Sequence, residues 1–226
     1  MKTTISLALL LGFSFVASAQ QPSSTFDRGN LLQARLDPRF ADVIAGCNIA
    51  PPSIQFGEGP DDSSSPPMPS LPAASSIPGV IQGGKVWQVV WRWHGNNADG
   101  PIAGENGTMQ FANNDAGNVM ELDPETGLAR IIHDDINVAG AVSRSKNGAL
   151  YVATRGIGTG IEQLEPERKI LTNTFNGEPL ECVGGVMNDL TVDAKGGVYF
   201  SISGTGVFYA DAQGNTSTYG DVPGAN

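Results

Sequence analysis

Histidine and cysteine are scarce in this chain, two of each in 226 residues. Their spacing, His94 to His133 and Cys47 to Cys182, excludes a His-Glu-x-x-His zinc helix and a Cys-x-x-Cys pair, and neither a Gly-x-Ser-x-Gly elbow nor a phosphate-cradling P-loop is present. His94 closes a predicted strand in Trp-His-Gly, and His133 precedes Asp134-Asp135 in a predicted turn. Both read better as solvated surface histidines than as bases, which argues against a Ser-His-Asp enzyme. Positive charge is also short: 13 Lys and Arg stand against 23 Asp and Glu, a net charge of −10. Such a balance argues against nucleic acid or an anionic membrane as partner. No apolar run reaches the roughly 20 residues of a spanning helix. The nearest, Ile5–Val16, follows Lys2 and precedes the small-residue pattern Ala17-Ser18-Ala19. Residues 1–19 therefore read as a signal peptide cleaved near Ala19, with a secreted or periplasmic mature protein. Export permits a Cys47–Cys182 disulfide, but sequence leaves the pairing open.

Glycine (29) and proline (15) are abundant, as in a turn-rich all-β protein. Residues 20–79 form an N-terminal segment, with a short helical patch at Leu31–Val43 interrupted by Pro38. Its stretch 51–79 holds eight of the fifteen prolines and seven serines, too little apolar surface to offset ordering entropy, and reads as a linker. A folded part is predicted over 80–226. In Val86–Trp93 the side chains of Trp87, Val89, Trp91 and Trp93 alternate onto one face, predicting a strand packed between sheets.

Three stretches repeat one another: Asn106–Gly127, Asn147–Lys169 and Lys195–Asn215. Each is a small-residue turn, a β-run, a Gly turn, a second β-run and a further turn. Their Gly107, Gly148 and Gly196 lie 41 and 48 residues apart, the scale of a propeller blade. Eight residues before each stand Asp99, Gly140 and Asn188, which would start equivalent innermost strands facing one axis. About three blades are expected, and Asn226 falls where another inner strand would begin, so the chain reads as incomplete. Asp99 offers a carboxylate, and Asn188 and Asn226 offer amide oxygens, donors of the kind that hard cations such as Ca²⁺ accept. Asp and Asn are also common turn formers, and that reading stays open.

The run Met187-Asn188-Asp189-Leu190-Thr191-Val192-Asp193-Ala194-Lys195-Gly196-Gly197-Val198-Tyr199-Phe200 resembles the Asn-Asp-Leu signature of the gluconolactonase–regucalcin family. Gly206–Asp211 and Pro223–Asn226 continue the pattern, so the resemblance covers about residues 98–226. It implies an all-β, six-bladed β-propeller that hydrolyses lactones or related small esters with one axial divalent cation. Calcium comes first, with zinc, manganese and magnesium as alternatives. Asp99 in Asp99-Gly100-Pro101 and Asn226 match the metal positions, and Asn188 matches the substrate-contacting Asn. The family's general-base Asp would lie beyond residue 226, so no catalytic residue is assigned. Some members carry an Arg two residues before the substrate Asn, where this chain has Val186. Two rivals remain: a non-catalytic propeller that binds a small ligand or protein, and a strictosidine-synthase or paraoxonase type enzyme. Oligomeric state is not legible.

Overall fold

In the computed structural model, residues 38–49, 71–92, 98–114, 116–220 and 222 are described. The expected signal peptide, most of the Pro/Ser segment, Trp93, His94 and Asn226 lie outside them. The described chain is all-β apart from one helix, α1 (Pro38–Ala45), and two short 3₁₀ turns. Pro38 sits at the helix start, where its missing N–H and fixed φ are tolerated.

Three four-stranded antiparallel sheets follow one another as simple meanders. The first is β1 (Ala98–Ala103), β2 (Met109–Asn113), β3 (Asn118–Leu122) and β4 (Ala129–His133). The second is β5 (Ala139–Arg144), β6 (Leu150–Thr154), β7 (Gly160–Glu165) and β8 (Lys169–Thr172). A small hairpin, β9 (Thr174–Phe175) with β10 (Glu178–Pro179), then leads to the third sheet. That sheet is β11 (Val186–Val192), β12 (Val198–Ser203), β13 (Gly206–Ala210) and β14 (Thr216–Thr218). The first strands lie side by side in the order β1, β5, β11. These are successive propeller blades: each runs outward from a shared inner edge and packs face to face with the next.

Packing follows from this arrangement. Between the first two blades lie Ala112, Val119, Ile136, Val142, Leu150 and Val152. Between the second and third lie Tyr151, Ile161, Met187, Leu190, Phe200 and Phe208. A middle blade is thus covered on both faces, which is why β6 is buried along its whole length and reads as an apolar run rather than an alternation.

The connection 173–186 contains β9, β10 and the 3₁₀ turn Leu180–Val183, with Leu180 buried in the core. Cys182 in that turn is bonded to Cys47, just after α1. Val86–Arg92, the described part of the predicted aromatic strand, joins none of the described sheets. Trp91 packs on Phe111 with ring centroids 5.2 Å apart, whereas Trp87 is 62% exposed. Alternation alone does not make a strand without a neighbour to complete its hydrogen-bond ladder. The segment instead lies along the outer face of the first blade, over an apolar cleft of about 400 Å³ lined by Trp87, Val90, Met109 and Phe111.

Candidate functional site

The head of each inner strand is built alike. Ala98 pairs with Asn113, Ala139 with Thr154 and Met187 with Ile202. Each ladder then slips, between Asp99 and Ile102, Ala139 and Val142, and Met187 and Leu190. A bulge bends its strand and re-aims the side chain it carries. Asp99, still paired with Ala112, and Gly140 and Asn188, already inside the slip, each come directly after one of these pairs, in the order predicted from the repeat. Local bonds hold the distortions: Gly100 N–H donates to Asp99 Oδ1 at 2.9 Å, and Asp189 N–H donates to Ser201 Oγ at 3.3 Å. Gly100 has φ +55° and a Cβ there would lie 2.5 Å from the Ala141 Cβ, so only glycine lets the first two blades close beside Asp99.

Sequence reasoning missed the residue that organises this end. Arg155, one residue past β6, turns its guanidinium across the three strand heads. Its side chain is only 7% exposed. Nη2 donates to Asp99 Oδ2 at 2.8 Å, Asn188 Oδ1 at 2.9 Å and the Asn188 carbonyl at 3.0 Å. Nη1 donates to Asn114 Oδ1 at 2.8 Å, and Nε to the Met187 carbonyl at 2.7 Å. Asn188 is further oriented by donating from Nδ2 to Ser203 Oγ at 3.0 Å. Arg155 reaches this place because blade two contributes no side chain of its own: a Cβ on Gly140 would lie 2.7 Å from Arg155 Nε. A glycine at one of three equivalent positions was the signal available in the sequence.

The predicted residues are therefore brought together in part. Asp99 and Asn188 share one guanidinium, while Asn226 lies outside the described residues. Among the described residues there is no cluster of three or more His, Cys, Asp or Glu able to hold a metal ion. The Asp99 carboxylate is already bonded to a buried cation. The described donors do not fit a divalent ion while Arg155 occupies them, because two like charges within a few ångströms repel strongly where water is scarce. The hairpin tip beside Asp99 is also polar. The Asn113 and Asn118 amides, and Nδ2 of Asn114, are buried without a partner among the described residues.

The other charge cluster lies apart from this one. His133, the last residue of β4 rather than part of a turn, has Nε2 2.7 Å from Glu165 Oε1, and Arg144 Nη1 donates to Glu165 Oε2 at 2.5 Å. The Arg144 hydrogen bond, helped by His133, holds the Glu165 carboxyl below the usual carboxylate range despite the opposing effect of burial. This links the first two blades through β4, β5 and β7 and gives His133 a structural partner.

No family model and no curated protein matches the chain. Among solved structures it is similar to a gluconolactonase from Xanthomonas campestris, at 19% identity and TM-score 0.42, covering 59% of this chain and 50% of that one. A calcium-binding regucalcin from Agrobacterium tumefaciens matches at 13% identity and TM-score 0.39, covering 54% and 42%. A streptogramin B lyase matches at 18% identity and TM-score 0.43, covering 56% and 41%. The chain spans half the length of that gluconolactonase. The solved structures that it resembles thus include gluconolactonases and a regucalcin.

Proposed function

We propose that this chain supplies the axial face of an exported propeller hydrolase acting on lactones or related small esters. The observation that carries the reading is the convergence of Asp99, Asn114 and Asn188 on Arg155 at the equivalent heads of the inner strands. Asn188 sits there within the Asn-Asp-Leu signature that the sequence shares with lactone hydrolases. In this reading Asn188 and the half-open Asp99 orient the hydroxyl and carbonyl groups of a small polar substrate. Arg155 provides a fixed positive charge beside the carbonyl oxygen as it becomes anionic, the preorganised electrostatics that acyl transfer needs. The water-activating base is not among the described residues. The divalent ion implied by the sequence resemblance does not fit beside Asp99, because that carboxylate is engaged by Arg155.

A second reading, a ligand-binding propeller without catalysis, is favoured by one observation: Asp99 and Arg155 neutralise each other. The same experiment separates the two. Hydrolysis of gluconolactone and of small aromatic lactones by the intact protein is followed by acid release, with and without Ca²⁺, Zn²⁺ or Mn²⁺. The hydrolase reading expects turnover above the uncatalysed rate that falls at least about tenfold in Asn188→Ala, as for loss of an oriented contact. Asn188→Ala also removes an acceptor from Arg155, so its melting is measured in parallel. Ligand-induced stabilisation with no turnover under any ion supports the binding module and sinks the hydrolase.

A further inference from the structure

Five oxygens surround the Arg155 guanidinium: one Asp99 carboxylate oxygen, the Asn114 and Asn188 amide oxygens, and the Met187 and Asn188 carbonyls. Their distances from its nitrogens run from 2.7 to 3.0 Å. Carboxylate, amide and backbone oxygens converging from several elements are the donor set of a hard-cation site. Here the set is loaded by a side chain, and the guanidinium fills the volume that blade two leaves open at Gly140. We infer that Arg155 is a built-in substitute for a cation at the propeller axis, and that Asp99 consequently holds no divalent ion while Arg155 is in place.

Charge and space both weigh against a divalent ion here. The oxygen set carries one negative charge, from Asp99, which the guanidinium neutralises. Asn114, Met187 and Asn188 are neutral and add only dipoles. A divalent ion at Asp99 needs the guanidinium to swing out of a place where three of its nitrogens are bonded and its side chain is almost wholly buried. Removing Arg155 has the reverse effect, leaving a carboxylate and four neutral oxygens aimed at one small volume. Calcium suits such a volume better than zinc, since calcium takes oxygen ligands at 2.3–2.6 Å in flexible geometry. The inference stands whether or not the protein hydrolyses lactones.

The test uses the intact protein as wild type, Asp99→Asn, Arg155→Ala, Arg155→Gln and the Asp99→Asn/Arg155→Ala double variant. Ca²⁺ and Zn²⁺ binding is read by titration calorimetry, and melting is compared in EDTA and in millimolar Ca²⁺. Wild type and Asp99→Asn are expected to give the same isotherms, and wild-type melting is expected to ignore Ca²⁺. Arg155→Ala should melt lower than wild type in EDTA, recover with Ca²⁺, and lose that recovery once Asp99 is also replaced. A wild-type site whose affinity falls about tenfold or more in Asp99→Asn overturns the inference, and that arm needs no folded Arg155 variant. Folded Arg155→Ala or Arg155→Gln protein that binds neither ion and whose melting ignores Ca²⁺ overturns it as well.

Discussion

Cutting the Cys47–Cys182 bond is expected to cost the fold a large share of its stability. The bond joins residues 135 apart, and on the chain-entropy model closing so long a loop in the unfolded ensemble is worth about 5 kcal/mol at 25 °C. Measured losses on removing native disulfides run at about 2–5 kcal/mol, because the folded state relaxes when the link goes. α1 rests against the 3₁₀ turn Leu180–Val183, and close by the Asn48 N–H donates to Glu178 Oε1 at 2.6 Å. For a domain whose total stability is on the order of 5–15 kcal/mol, the loss is severe. At about 2–4 °C per kcal/mol for this size it lowers the melting temperature by roughly 4–20 °C. Urea unfolding of wild type and the Cys47→Ser/Cys182→Ser variant, followed by tryptophan fluorescence, measures it, with reduced wild type as a second route. Trp91 against Phe111 makes that signal sensitive to the outer face of the first blade. Midpoints agreeing within about 0.5 kcal/mol would refute the reasoning, since the loop would then constrain nothing in the unfolded chain.

Two further outcomes follow from the blade contacts. Gly100→Ala must place a Cβ 2.5 Å from the Ala141 Cβ at φ +55°, so a loss of about 2–4 kcal/mol is expected by urea unfolding, and wild-type stability would show that the first two blades can separate. The Glu165 carboxyl is depressed in the fold, first by Arg144 and then by His133. Its stabilising contribution is therefore present above the unfolded carboxylate pKa and lost as pH falls through the lower folded value. Stability measured between about pH 5 and pH 2 should consequently fall more steeply in wild type than in Glu165→Gln, and less so at high salt because the group is partly exposed. Parallel curves would show that the pair with Arg144 contributes nothing.

The sequence displayed the parts of the fold whose period is regular. The β-runs expected within Asn106–Gly127, Asn147–Lys169 and Lys195–Asn215 are there as β2 and β3, β6 and β7, and β12 and β13. The inner strands were harder, because the bulge breaks the period of two and β1 is written Ala-Asp-Gly-Pro-Ile-Ala, with little apolar content. Gly107, Gly148 and Gly196 located them indirectly, by fixing the turn that ends each inner strand. Val86–Trp93 misled because alternation records which faces differ, not whether a second strand lies alongside. At the site, Asp99 and Asn188 were legible from the repeat. Arg155 was not, since its side-chain partners lie 56, 41 and 33 residues away and no local pattern ties them together.

The slipped ladder at the head of each inner strand separates two jobs that most binding sites entangle. Direction is set there by the backbone, while the residue that receives it differs in all three blades: a carboxylate, a hydrogen atom and an amide. None of these three contributes to the apolar layers between the sheets. Substitution at such a head can therefore exchange one functional group for another while the surrounding architecture stays indifferent. A vacant head need not stay chemically mute, since a neighbouring loop can lend it a long side chain. Descent with modification would meet little resistance at these points, and a common framework can acquire new chemistries one strand at a time.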